Sequence, residues 1–210
     1  MDLTRTRVDG RAMERLYSFY SPFYDFTFGA LLIPGRRKAM SLLQRKPNQR
    51  VLEVGIGPGS TLSLYPHDTN IVGIDISPKM IERAKAKAAR LRNGREISLH
   101  VMDASRLEFP DNSFDAVISS YVITVVPDPL RVCREIRRVC KPGGQILVVN
   151  HSRSSNGLRG KLEDIFSPLC VRMGFVTDLD VIEVIRRAGI AVENVLGVPM
   201  SVHKVIVGRK

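Results

Sequence analysis

The chain has 210 residues and a mass of 23.5 kDa, with 44% of its residues hydrophobic, 25% charged and a mean hydropathy of −0.03. That is enough apolar material for one sizeable core without staples, and the composition excludes a disordered or bilayer-spanning chain, because no run reaches the roughly 18 apolar residues a membrane crossing needs. The net charge of +11 is uneven: residues 1–50 hold ten Lys/Arg against four Asp/Glu, so the N-terminal end is expected to favour an anionic partner, either nucleic acid or an acidic membrane surface.

The chain begins MDLTRTRVDGR, without an apolar leader, and its three cysteines, Cys133, Cys140 and Cys170, are an odd number in no ligand-like spacing. Both features set the expectation of a cytoplasmic protein with buried thiols, no disulfide framework and no metal. Met13, Leu16, Tyr17 and Tyr20 recur at helical spacing while Arg7, Arg11 and Arg15 stand four apart on another face, which predicts an amphipathic helix with a basic side. Such a helix either packs on the fold with its charges solvated or lies in a lipid interface with its arginines on anionic headgroups. Next comes YSFYSPFYDF, Tyr17 to Phe26, holding six of the 13 aromatic residues of the chain. With Phe28 and the following GALLI it reads as a lid bordering a hydrophobic entry route, so residues 1–46 are set apart as an N-terminal amphipathic helix and aromatic lid ahead of a main domain at 47–210.

After Pro47 short apolar runs alternate with helical stretches: QRVLEVGIG, NIVGIDIS, EISLHVMD, FDAVISS and GQILVVNH. Alternation of this kind predicts a doubly covered parallel α/β sheet. Ser77 before Pro78 and Asp128 before Pro129 are N-cap and N1 pairs, and KPGG at 141–144 stops the helix from Arg131 to Cys140. Residues 153–176 have no firm period and are expected as short helices over the site. Asp178 to Gly189 reads as a helix, and VENVLGV and VHKVIVG as two closing strands.

The sharpest signal is VLEVGIGPGS, an apolar strand running into glycines 55, 57 and 59. Glycines let the backbone turn tightly and approach a ligand with no Cβ in the way. Asp75 ends the next strand 18 residues after Gly57, where a carboxylate can accept both hydroxyl hydrogens of a ribose. Asp103 ends the third, so Glu53, Asp75 and Asp103 are expected to converge in the crevice at the strand ends. An acidic residue in the strand and a proline at the turn suit a cofactor with cationic groups better than a pyrophosphate.

ExGxGxG at Glu53 to Gly59, the acidic end at Asp75, MDA at 102–104 and KPGG at 141–144 together resemble the class I S-adenosylmethionine-dependent methyltransferases, over about residues 48–150. The resemblance implies a Rossmann-like α/β fold with a seven-stranded, mostly parallel sheet, helices on both faces and an antiparallel last strand. It also implies S-adenosyl-L-methionine as cofactor, with Gly55 and Gly57 beside its methionine part, Asp75 on the ribose, Met102 and Asp103 by the adenine, and Ile76 and Met80 packed near the adenosine. Ala104 and Ser119 join the expected cofactor set. For Ile76 and Met80 plain core packing stays an equal reading.

YxxYxPxYD, followed by FG and by Gly35-Arg36, is similar to the bacterial phospholipid N-methyltransferases, relatives of the ubiquinone/menaquinone C-methyltransferases. It implies methylation of phosphatidylethanolamine through mono- and dimethyl forms towards phosphatidylcholine, by an enzyme peripheral to the inner face of the membrane and recruited to anionic lipid by the basic helix. An ammonium must lose its proton before its nitrogen attacks a methyl group, and tyrosine faces stabilise methylated ammonium products by about 0.5–2 kcal/mol. Tyr20 and His151 are therefore the catalytic candidates, Tyr24 joins the cofactor set, and Tyr17, Arg36, Tyr121 and Arg153 are candidates for the lipid headgroup and phosphate. His67, His100 and His203 are expected to be structural. Methylation of a quinone ring carbon is the nearest alternative, and a non-catalytic membrane scaffold a more distant one. The ISSYV end of strand four, instead of an NPPY-type sequence, argues against a nucleic-acid substrate, and RAKAKAARLRNGR at 83–95 reads as a solvated helix face.

Overall fold

β1, Arg50–Val54, is the strand from which the sheet grows outward, and its last four residues are buried. In the computed structural model, which describes residues 30–91, 95–151, 179–199, 201 and 203–210, it is flanked by β2, Asn70–Asp75, and by β4, Phe114–Ser120, both parallel to it. β3, Ile97–Val101, adds to β2 in parallel, and β5, Cys140–His151, adds to β4. β7, His203–Arg209, runs antiparallel between β5 and the edge strand β6, Ala191–Gly197. The order β3-β2-β1-β4-β5-β7-β6 is the expected seven-stranded sheet with its last strand reversed.

Why the apolar runs become strands is visible in their burial. Leu52, Val54, Val117, Ile146 and Val148 pack on one face with α3 (Pro129–Val139) and α4 (Val181–Arg187). Val51, Ile118 and Leu147 pack on the other with Ile81 and Ala84 of α2 (Pro78–Ala88). With both faces covered, consecutive residues are apolar, and each fully buried Leu, Ile or Val contributes about 1.5–3 kcal/mol.

The caps fall where the sequence places them. Ser77 Oγ accepts from Met80 N at 3.4 Å and Asp128 Oδ1 accepts from Arg131 N at 2.9 Å, each with proline at the first helical position. α3 ends at Val139 and KPGG becomes the start of β5, with Gly143 at φ 69°. Between β1 and β2 the chain forms only a 3-10 turn at Leu62–Leu64. Cys133 and Cys140 are buried and free, and burial pushes their thiols up to about 12 and about 11; Cys170 lies outside the described residues.

α1, Ala30–Leu42, contains Pro34 and packs on β5 and β7, so part of the segment set apart in sequence is built into the core: Leu32 and Ala39 cluster with Tyr121, Val149 and Val205. The basic helix at 7–20, the aromatic run and residues 153–176 lie outside the described residues. Among the described residues no helix is long and apolar enough to cross a membrane.

Candidate active site

The order of the strands reverses between β1 and β4, and the crevice outside their carboxyl ends is where an open α/β sheet binds its ligand. Here it holds a cavity of about 260 Å³. Its floor is the turn after β1, where Gly55 and Gly57 stand at φ 72° and 57°, a left-handed region that a side chain disfavours. A Cβ on Gly55 would collide with Val122, whereas one on Gly57 would meet nothing within 4 Å. Gly57 thus leaves its surface open for a close approach.

Asp75 fixes that turn. Its Oδ2 accepts from Gly57 N and its Oδ1 from Ser77 N, both at 2.9 Å, so one carboxylate ties the glycine turn to the N-cap of α2. Each oxygen keeps a second lone pair for a ligand hydroxyl. Burial raises the Asp75 carboxyl above its ordinary value, opposed by these two N–H groups and by the charge of Arg36. The Gly57 N–H that would cradle a pyrophosphate in a dinucleotide site is taken by Asp75, and the residues present fit a phosphate-free nucleoside cofactor.

On the β2 and β3 side, Ile76, Met80, Met102, Asp103 and Ala104 line the cavity. Ile76 is 45% exposed there, a large apolar side chain left open, whereas Met80 is buried. Asp103 is exposed, and its Oδ1 accepts from Ser105 N at 2.8 Å. Glu135 and Arg138 of α3 brace this loop: Glu135 Oε2 accepts from Leu107 N, and the Arg138 guanidinium donates to Glu135 and to the Leu107 and Phe109 carbonyls.

Two expected residues stand elsewhere. Glu53 is 1% exposed and sits behind the turn, off the cavity wall. Its carboxylate takes the Tyr65 hydroxyl at 2.8 Å and has the Thr61 hydroxyl 2.8 Å from each oxygen. It therefore anchors the loop returning from the turn, and burial raises its carboxyl against the pull of Thr61, Tyr65 and Arg36. Ser119 is likewise inside the sheet, and Ser120, one residue on, lines the cavity; alternation along a strand sends neighbours to opposite faces.

On the β4 side are Tyr121 and Arg36, which sequence reasoning assigned to the lipid. Both line the cavity. Tyr121 holds φ 64°, donates its hydroxyl to Leu32 O at 3.2 Å and meets the ring of His203 edge-on with centroids 5.2 Å apart. Burial lowers the pKa of His203, which is consistent with a neutral packing partner. His100 meets Phe109 edge-on and His67 lies beside Arg95 at the surface. His151 ends β5, its backbone paired with His203, and its side chain is outside what is described, as are Tyr17, Tyr20, Tyr24 and Arg153. Sequence reasoning missed Leu32, Val122, Val125 and Val126, which give the cavity an apolar wall; the signal was the VITVV run directly after Tyr121. It also missed Arg131, which lines the cavity and donates to Ser105 O at 2.9 Å. Among the described residues no cluster of His, Cys, Asp and Glu is suited to a metal.

Comparison with known proteins shows the family and the fold. Residues 52–148 match the model of the methyltransferase domain family. The chain is 35% identical to the phosphatidylethanolamine N-methyltransferase of Cereibacter sphaeroides over 190 residues, covering 90% of this chain and 92% of that protein. It is 30% identical to the ubiquinone/menaquinone biosynthesis C-methyltransferase UbiE of Geotalea daltonii, covering 68% of this chain and 64% of that one. Among solved structures, the [4+2]-cyclase SpnF superposes with a TM-score of 0.81 at 17% identity, covering 99% of this chain and 98% of that one. A SAM-dependent methyltransferase from Aquifex aeolicus superposes with 0.67 at 18%, covering 93% and 97%. At those identities the structures speak for the fold alone, and the 35% relative speaks for the family. The chain is a class I S-adenosylmethionine-dependent methyltransferase and belongs to the family of the phosphatidylethanolamine N-methyltransferase.

Proposed function

We propose that this enzyme methylates the amine of phosphatidylethanolamine, through the mono- and dimethyl forms towards phosphatidylcholine, at an anionic membrane surface. One observation carries the reading. The match to the phosphatidylethanolamine enzyme leaves only a tenth of this chain outside it, about 21 of 210 residues, fewer than the 46 that precede the main domain, so the likeness extends into the N-terminal segment. The match to the quinone enzyme, at 68% of the chain, is short enough to fit within the methyltransferase domain. Carbon methylation of a quinone precursor remains the second reading, favoured by that 30% identity.

The cofactor, when bound, supplies an electrophilic methyl group on a sulfonium. The chain's part is to bind and orient: Asp75 takes the ribose hydroxyls, Gly55 and Gly57 let the backbone approach, and Met102, Asp103 and Ile76 flank the base. The apolar wall from Val122 to Val126 excludes water from the reacting centre, which favours attack by a neutral amine over hydrolysis. Tyr20 and His151 are the proposed groups for holding the amine and receiving its proton, with Tyr17 and Arg153 on the headgroup. Arg7, Arg11 and Arg15 are proposed to hold the enzyme to anionic lipid; changing all three to Glu should abolish sedimentation with anionic vesicles while S-adenosylhomocysteine binding persists.

Turnover with labelled S-adenosylmethionine, on vesicles offering phosphatidylethanolamine, its monomethyl form or a demethylated quinone, tests the substrate. Label in both phospholipids supports the reading, and label confined to the quinone transfers the site to carbon methylation.

A further inference from the structure

Arg36 is buried, 3% exposed, yet its Nε and Nη1 have no hydrogen-bond partner among the described residues. A guanidinium with two of its three nitrogens taken from water without replacement partners is costly. Since Arg36 also lines the cavity, an anionic ligand is the partner that would offset the cost.

The surroundings hold the side chain in place. The Arg36 guanidinium carbon stands over the Tyr121 ring, 5.9 Å from its centroid. Tyr121 is itself fixed by the hydrogen bond to Leu32 on α1 and by its contact with His203. Gly35, next to Arg36, lies so close to the Tyr121 hydroxyl that a Cβ there would collide with it. One face of the Tyr121 ring thus already carries a resident cation.

Which anion reaches Arg36 follows from the order of the strands. The residues suited to a nucleoside, Asp75, Ile76, Met102 and Asp103, cluster at the ends of β2 and β3. A ligand with its nucleoside there crosses the glycine turn after β1, and its other end then lies towards β4, where Ser120, Tyr121 and Arg36 form the wall. That other end of the cofactor is an amino acid with a carboxylate. Arg36 lines the same cavity as Gly55, Gly57 and Asp75, and its charge lowers the Glu53 and Asp75 carboxyls.

We propose that Arg36, oriented by Tyr121, is the receptor for the α-carboxylate of the cofactor, in place of the lipid phosphate suggested by its sequence neighbourhood. The proposal rests on the cofactor reading of this cavity and is independent of which substrate is methylated.

Isothermal titration of the full chain with S-adenosylhomocysteine, and with its decarboxylated form that keeps the amine, tests it directly. R36Q should weaken S-adenosylhomocysteine by roughly 10- to 150-fold, the loss of a hydrogen bond to a charged group, and leave the decarboxylated ligand within about threefold. R36K, which retains the charge and guards against a folding defect, should show an intermediate loss confined to the carboxylate ligand. Y121L should weaken S-adenosylhomocysteine in the same selective way, to a smaller extent. Equal loss of both ligands in folded R36K would overturn the assignment, as would unchanged S-adenosylhomocysteine binding with a raised KM for lipid. Failure of the parent chain to bind either ligand would instead remove the cofactor reading.

Discussion

Asp75→Asn is the sharpest perturbation of the site, because it removes a charge and keeps the shape. In the parent chain each carboxylate oxygen accepts a backbone N–H at 2.9 Å, from Gly57 and from Ser77. An amide retains one acceptor and turns an NH2 towards the other N–H. One charge-assisted bond is lost, and one of two ribose hydroxyls loses its strong acceptor. A hydrogen bond to a charged group contributes about 1.5–3 kcal/mol, so loss of the ribose bond alone raises the Kd for S-adenosylhomocysteine by roughly 10- to 150-fold. Loss of the bond to the backbone loosens the turn and adds to this. Calorimetric titration at pH 7, with a thermal melt to establish folding, measures the effect. A correctly folded D75N chain with the parent Kd would refute the placement of the ribose on Asp75.

Three further outcomes follow from the same contacts. Ser77→Ala deletes an N-cap worth about 0.5–2 kcal/mol, and the 3.4 Å Ser77–Met80 bond places the loss in the lower half of that range, measurable by urea unfolding. Gly55→Ala forces a Cβ into Val122 at φ 72°, costing about 1–3 kcal/mol and lowering Tm by about 2–4 °C per kcal/mol for a chain of this length, with weakened cofactor binding. His203 has its pKa lowered by burial, so the unfolded chain binds the extra proton first and this group's contribution declines as pH falls through and below its ordinary value of 6.5. His203→Phe should therefore flatten the acid limb of Tm against pH; a parallel limb in both chains would contradict a buried neutral His203.

The sheet was legible because strands covered on both faces are continuous apolar runs, and their ends carry the glycines and acids that mark the crevice. The cavity-lining positions of Asp75, Met102 and Asp103 were legible for the same reason: Asp75 ends β2, and Met102 and Asp103 directly follow β3. α1 was not, because Pro34-Gly35 reads as a breaker, whereas tertiary packing of Leu32 and Ala39 on β5 and β7 holds the helix. Glu53 was expected on the cavity wall, and its direction depends on Thr61 and Tyr65, partners eight and twelve residues away that no local pattern announces. Ser119 differs from Ser120 only in which face of β4 it takes. The wall from Val122 to Val126 looked like ordinary core, since apolar side chains lining a cavity and filling one have the same sequence signature.

The most direct test of the central claim is lipid analysis by mass spectrometry of a bacterium that makes phosphatidylethanolamine but no phosphatidylcholine, expressing this chain or its D75N variant. The account predicts monomethyl, dimethyl and trimethyl forms with the parent chain, strongly reduced with D75N. Unaltered phospholipids, with the parent chain folded and binding S-adenosylhomocysteine, would contradict it.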